Sequence, residues 1–252
     1  MNSTQPSRRR HARGAVIAAT LLAATTTSAV GFTGTAQAAS TCFNNGAPMS
    51  VNGGEINGTA GDDKIRCLAL TGRDTVNGLG GNDTIQITGL LGDARVNGEA
   101  GNDTITVSSL SGQVHIDGGD DKDAITVNSH ISGEFQNRSE VAGGNGDDVL
   151  SVQDVGVQSE VRGDAGNDTL NIHSVDPGGR AEGNDGNDLL RISRNATTVM
   201  AGDGDDTIEG PNGTRMTLAP GSFTDGGNGI DTCRVQRPGA GSATVADCET
   251  TP

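Results

Sequence analysis

Tryptophan and tyrosine are absent from this 252-residue sequence, and phenylalanine occurs only four times. A globular enzyme of this length normally draws on aromatic bulk for its core and pocket walls, so that class is disfavoured. Basic residues are also scarce. Seventeen Lys and Arg against 32 Asp and Glu give a formal charge of −15. So acidic a chain does not hold nucleic-acid phosphate or an anionic membrane surface. Leu, Ile, Val and Phe together make up about 19% of the chain, just under the ~20% at which a strongly charged sequence tends to disorder. Either the chain is disordered, or something beyond an ordinary hydrophobic core holds it together.

Catalytic signatures are missing too. No GxSxG, HExxH, P-loop or dinucleotide-binding fingerprint occurs. His115, His130 and His173 do not cluster at any metal-ligand spacing, so outward strand or turn positions are expected for them. The sequence reads as that of a non-enzyme.

The only long apolar run lies in the first 38 residues. Arg8, Arg9, Arg10 and Arg13 form a basic start, Gly14 to Phe32 is rich in Ala and Thr, and Ala36-Gln37-Ala38 gives a small-x-small cleavage pattern. This is the pattern of an export signal, and the many Thr and Ser residues make a poor membrane-spanning helix. The expected product is soluble and extracellular, with no membrane insertion. Four cysteines follow the leader: Cys42, Cys67, Cys233 and Cys248. An even count in an exported chain suggests disulfides. Two lie near each end, so Cys42–Cys67 and Cys233–Cys248 is the preferred pairing among the three that are possible.

Between the cysteines the chain repeats itself. The segments GTAGDDKIRC (58–67), GLGGNDTIQI (78–87), GEAGNDTITV (98–107) and GGDDKDAITV (118–127) align with one another. So do GGNGDDVLSV (143–152), GDAGNDTLNI (163–172), GNDGNDLLRI (183–192), AGDGDDTIEG (201–210) and GGNGIDTCRV (226–235). Most steps are 20 residues; two are 25 and one is 18. Each unit is a six-residue Gly/Asn/Asp segment followed by apolar residues in strict alternation, which is the period of a strand. Ile85/Ile87, Ile105/Val107, Ile125/Val127, Leu150/Val152, Leu170/Ile172 and Leu190/Ile192 are expected on one inward face. A second inward set precedes each turn (Val76, Val96, Ile116, Val141, Val161), and a third lies between (Leu70, Leu90, Leu110, Val155, Val175). Units that bury little alone but stack into a continuous narrow core make a solenoid. The expected fold is all-β, a parallel β-roll or β-helix solenoid of about nine 20-residue coils. It spans residues 56–235, with 39–55 as an N-terminal cap and 236–252 as a C-terminal cap or tail.

The last position of the six-residue segment is Asp in every unit: Asp63, Asp83, Asp103, Asp123, Asp148, Asp168, Asp188, Asp206 and Asp231. Stacked in register, these carboxylates form a column with a spacing of ~4.8 Å. Like charges at that distance repel by ~1 kcal/mol in water and more in a shielded turn. Turn chemistry explains the glycines and the neighbouring position, where Asn82, Asn102, Asn167 and Asn187 alternate with Asp62, Asp147 and Asp205. It does not explain nine Asp and no Asn at the last position. Cations between the carboxylates do, and hard oxygen ligands select Ca²⁺.

The units resemble the glycine-rich nonapeptide GGxGxDxUx of the hemolysin-type (RTX) calcium-binding repeats, best seen in GGNGDDVLS (143–151) and GGNGIDTCR (226–234). The resemblance covers residues 58–235. It implies a right-handed parallel β-roll that binds several Ca²⁺ ions between adjacent turns. The sixth-position aspartates would be ligands, with backbone carbonyls near Gly58, Gly78, Gly80, Gly98, Ala100, Gly143, Gly163 and Gly183. This chain departs from the family pattern in its 20-residue coil and in opposite turns without a recurring Asp, so one calcium edge is expected instead of two. The resulting expectation is a secreted calcium-binding structural or interaction module that folds on calcium. The alternatives are a calcium-dependent polysaccharide lyase or hydrolase of the β-helix type, a surface-binding solenoid and a metal-free structural solenoid.

Overall fold

The computed structural model describes residues 40–51, 54–133 and 138–249; the expected leader lies outside them. Each coil of the chain runs through a strand, a tight turn, a second strand and the Gly/Asp turn. The strands that follow the Gly/Asp turns form one parallel stack that includes Thr84–Ile87, Thr104–Val107, Ala124–Ile131, Val149–Val155, Thr169–Val175 and Leu189–Asn195. The strands that precede the turns form a second, ten-stranded sheet that includes Thr75–Gly80, Ala94–Ala100, Val114–Asp120, Ser139–Asn145, Ser159–Ala165 and Gly179–Asp185. Among the described residues the only helical element is the 3₁₀ turn Pro211–Gly213. The protein is an all-β parallel solenoid of about nine turns, as the repeat predicts.

Register is what turns the repeat into a core. Ile85 pairs with Ile105, Ile105 with Ile125, Ile125 with Leu150, and Leu150 with Leu170, so like residues stack on like. The alternating pairs from Ile85/Ile87 to Leu190/Ile192 are all buried, as are Val76, Val96, Ile116, Val141 and Val161 on the opposite sheet. Burial of such a side chain contributes about 1.5–3 kcal/mol, and each coil supplies several. The narrow interior has no room for large rings, which accounts for the missing aromatics.

The third inward set is less uniform. Leu70, Leu90, Val155 and Val175 are buried, whereas Leu110 is only partly so. At the short 18-residue step the same column holds Asn195, fully buried. Its amide donates to the Phe223 carbonyl at 2.8 Å and to Thr224 Oγ1 at 3.0 Å, and its Oδ1 accepts the Thr197 N–H at 2.8 Å. A polar side chain is tolerated there because its partners come with it.

Both ends carry a disulfide, Cys42–Cys67 and Cys233–Cys248, and the described residues hold no free cysteine. At the N-terminus the strand Thr41–Asn44 pairs antiparallel with Lys64–Gly72, the first long strand. At the C-terminus Thr244–Ala246 adds a parallel strand beside Phe223–Asn228 and so continues the second sheet past the last repeat. Among the described residues no helix is long and apolar enough to cross a membrane.

Candidate metal centre

All nine sixth-position aspartates are brought into one column, and each is at most 4% exposed. Among the described residues no other aspartate is buried. The single acidic edge expected from the sequence is therefore where the turns place it. Burying a carboxylate requires partners, and the structure supplies them unequally to its two oxygens.

Oδ1 is satisfied. The backbone N–H of each aspartate from Asp63 to Asp206 donates to Oδ1 of the aspartate one coil further on, at 2.7–2.8 Å. At the first coil Asn44 Nδ2 donates to Asp63 Oδ1 at 2.7 Å. At the last, Glu249 Oε2 accepts the Asp231 N–H at 2.5 Å. Asn44 and Glu249 thus stand in for the coils that are not there.

Oδ2 is not. In Asp83, Asp103, Asp123, Asp148, Asp168, Asp188 and Asp206 it is buried without a hydrogen-bond partner among the described residues. Its neighbours are carbonyl oxygens. A Cβ built on Gly78 would strike both Asp83 Oδ2 and the carbonyl oxygen of Gly98, and a Cβ on Gly98 would strike Asp103 Oδ2 and the Gly118 carbonyl. The same pairing joins Asp123 to the Gly143 carbonyl, Asp148 to that of Gly163, Asp168 to that of Gly183, and Asp188 to that of Ala201. Glycine at the first turn position of these coils is thus favoured by two oxygens that occupy the space of a side chain, with Ala201 the one exception among the nine units. Oxygens grouped in this way call for a proton or a cation.

Among the carbonyls singled out by sequence, those of Gly78, Gly98, Gly143, Gly163 and Gly183 lie beside the Oδ2 of the preceding coil. Gly58 begins the series and has no preceding repeat. The Gly80 and Ala100 carbonyls lie further round the turn, and Ala100 already accepts the Gly81 N–H at 3.0 Å. Among the described residues no three His, Cys, Asp or Glu side chains converge as a metal-holding group. A cation held here would therefore take backbone carbonyls along with the carboxylates, the donor set suited to a hard ion.

A second ladder runs along the outer side of the same turns, in the opposite direction. The backbone N–H of Asn82 donates back to Asp62 Oδ1, that of Asn102 to Asn82, and that of Lys122 to Asn102. After a break it resumes from Asn167 to Asp147, Asn187 to Asn167, Asp205 to Asn187 and Ile230 to Asp205, with lengths of 2.7–3.3 Å over the whole set. Here one acceptor oxygen suffices, and Asn and Asp alternate freely. The inner ladder makes the same demand of Oδ1 yet contains only Asp, so the difference resides in Oδ2.

Burial dominates the titration of the inner column. It pushes Asp123 up to about 8, and Asp168, Asp188 and Asp206 up to about 7, against the N–H bond to each that favours ionisation. Asp103 and Asp148 rise to about 6 for the same reason. Asp63 goes the other way. Burial raises it, but hydrogen bonds from Asn44 and Thr59 outweigh that and lower it. Without a cation, protons would share the middle of this column at neutral pH.

The histidines lie outside this edge. His115 reaches Glu140 at 2.9 Å and His173 reaches Asp154 at 2.8 Å. Four of the five non-glycine residues at the second turn position, Leu79, Glu99, Asp164 and Asn184, adopt left-handed backbone (φ 76–81°), whereas Thr59 in the first coil does not. The stacked turn imposes this conformation even on a leucine, and no local signal in the sequence announces it.

A parallel β-solenoid with an inward column of turn aspartates defines a calcium-type repeat scaffold. The family model for the RTX calcium-binding nonapeptide repeat (4 copies) matches residues 68–86, 88–109 and 195–214, so these segments are similar to such repeats. Repeats of this kind bind calcium. No curated protein and no solved structure matches the chain.

Proposed function

We propose that the chain is a secreted calcium-binding structural or interaction protein whose ions lie between successive Gly/Asp turns. Asp63, Asp83, Asp103, Asp123, Asp148, Asp168, Asp188, Asp206 and Asp231 would supply carboxylate oxygens. The first-position carbonyls of the following coils would supply the rest. The observation that carries this reading is the contrast between the two ladders: the outer one accepts Asn, whereas the inner one keeps a second, buried oxygen against a carbonyl. Each ion would neutralise neighbouring carboxylates and tie two coils together, so binding energy would become folding energy.

An N-terminal export signal at residues 1–38 and two disulfides agree with an extracellular setting. There the solenoid at 56–235 would fold on meeting calcium, closed by caps at 39–55 and 236–252. The test is calorimetric calcium titration of the full-length protein and of Asp103→Asn, with far-ultraviolet circular dichroism before and after EDTA. The reading requires several calcium equivalents, reversible loss of β signal on chelation, and weaker binding in the variant. A protein whose β signal ignores EDTA and whose variant binds calcium like the parent would refute it.

A further inference from the structure

The step from Asp206 to Asp231 is five residues longer than the regular coil. Two residues of the inserted chain, Pro211 and Asn212, line a hollow of about 740 Å³ on the outer face of the first sheet. The loop is braced, not loose. Glu209, buried at its base, accepts from Arg191 Nε at 3.3 Å and from Arg234 Nη1 at 3.5 Å. Arg234 also donates to the Gly213 carbonyl at 3.5 Å, and Asn212 is held in left-handed backbone (φ 56°). The wall is thus fixed by contacts that leave Pro211 and Asn212 exposed.

The floor of the hollow is built from four successive coils. Thr126, Ser151 and Asn171 are register partners on neighbouring strands, with Asn128 and Gln153 alongside them. All five are uncharged and offer hydroxyls or amides, groups that both donate and accept. Arg191 and His173 at the rim are already engaged, Arg191 by Glu209 and His173 by Asp154. The hollow therefore presents hydrogen-bonding groups at the ~4.8 Å strand spacing with no excess of charge.

We infer that this hollow binds a neutral oligosaccharide lying along the solenoid axis, about one sugar residue to each coil. The strand spacing is close to the length of a sugar residue, and sugar hydroxyls match groups that donate and accept together. A peptide is disfavoured because the sheet offers its face, whose backbone groups are committed to the ladders, and no deep apolar pocket for an anchor. A polyanion would meet Asp154, Glu209 and a chain of formal charge −15. With no Phe, Tyr or Trp in the lining to stack on a sugar, the expected affinity is modest, with Kd on the order of 1 mM.

The experiment is a ¹H–¹⁵N NMR titration of the calcium-loaded full-length chain with cellohexaose, mannohexaose, maltohexaose and hexagalacturonate. The inference requires at least one neutral hexasaccharide to shift the signals of Asn128, Gln153, Asn171 and Asn212. Gln153→Ala and Asn171→Ala should each weaken that binding about 5- to 10-fold, the loss expected of one good hydrogen bond. Asn212→Ala, on the loop and outside every strand, should weaken it while leaving the circular dichroism unchanged. Binding of hexagalacturonate alone, shifts confined to other faces, no shift with any neutral sugar, or parent-like affinity in folded variants would overturn it.

Discussion

Asp103 donates its backbone N–H to Oδ1 of Asp123, one coil further on, at 2.7 Å, while its own Oδ2 shares the space over Gly98 with the Gly118 carbonyl. The two oxygens of Asp103 thus have different roles, and an Asn would treat them differently. Its Oδ1 could still accept from the N–H of Asp83, and its amide N–H₂ could donate to the carbonyl. Asp103→Asn should therefore stabilise the metal-free protein by about 1 kcal/mol and weaken its response to calcium. Urea unfolding with EDTA and with calcium reads both arms, and opposite signs are expected. Equal loss in both would mean that Oδ2 has no cation to serve.

A second expectation follows from titration. The carboxylates of Asp123, Asp168, Asp188 and Asp206 have folded values of about 7 to 8, above the ordinary 3.8. Between about pH 4 and pH 8 the folded, metal-free chain then binds more protons than the unfolded one, so its stability should fall as pH rises through this window. Calcium competes with the same protons, so its apparent affinity should rise over the same range. Thermal melts in EDTA should shift down from pH 5 to pH 8, while melts in calcium should shift up. Melts in EDTA that shift up with pH would contradict the protonated column.

Gly98→Ala tests the packing directly. The new methyl would collide with Asp103 Oδ2 and the Gly118 carbonyl, which cannot retreat without disturbing neighbouring coils. Overpacking of this kind costs about 1–3 kcal/mol. Calcium affinity should drop as well, because both displaced oxygens are candidate ligands. Gly239→Ala, where an added Cβ meets nothing within 4 Å, is the control. Equal midpoints for the two variants in chemical denaturation would rule out the crowded turn.

The C-terminal cap gives a fourth expectation. Glu249 accepts the Asp231 N–H, and Cys233–Cys248 holds it beside the last repeat. Glu249→Ala should cost about 1–3 kcal/mol by removing the carboxylate that accepts this buried N–H. Hydrogen exchange should locate the loss in Phe223–Asn228 and Thr244–Ala246, with the central coils unaffected. Loss spread evenly over the solenoid would show that the cap is not a local closure.

The alternation Ile105/Val107 and its equivalents made the strands legible, and the column of nine aspartates was legible because every unit repeats it. Both are properties of one coil, visible in a single copy and amplified by recurrence. What escaped the sequence belongs to the contact between coils. The left-handed backbone of Leu79 and Glu99 is imposed by stacking, and the reversed direction of the Asn82–Asn102 ladder depends on register. Asn195 in a column of aliphatics finds partners only after Phe223 and Thr224 come round. Glu249 has the wrong side chain to be aligned with the aspartates it replaces, although its 18-residue step from Asp231 equals that from Asp188 to Asp206. The loop at 210–215 appeared in the sequence only as an irregular step.

The opposed ladders also bear on length. At a cut between two coils away from the break at Lys122, the exposed turn offers the same pair of groups: an inner N–H awaiting a carboxylate, and an outer Oδ1 awaiting an N–H. The incoming turn brings the complements of both. With the edge unchanged from one regular coil to the next, duplication or deletion of a whole 20-residue unit within the central stretch leaves no new surface to solve. Molecular size in this architecture is set by copy number, and the two disulfide-bonded ends are the parts that a lineage must keep as they are.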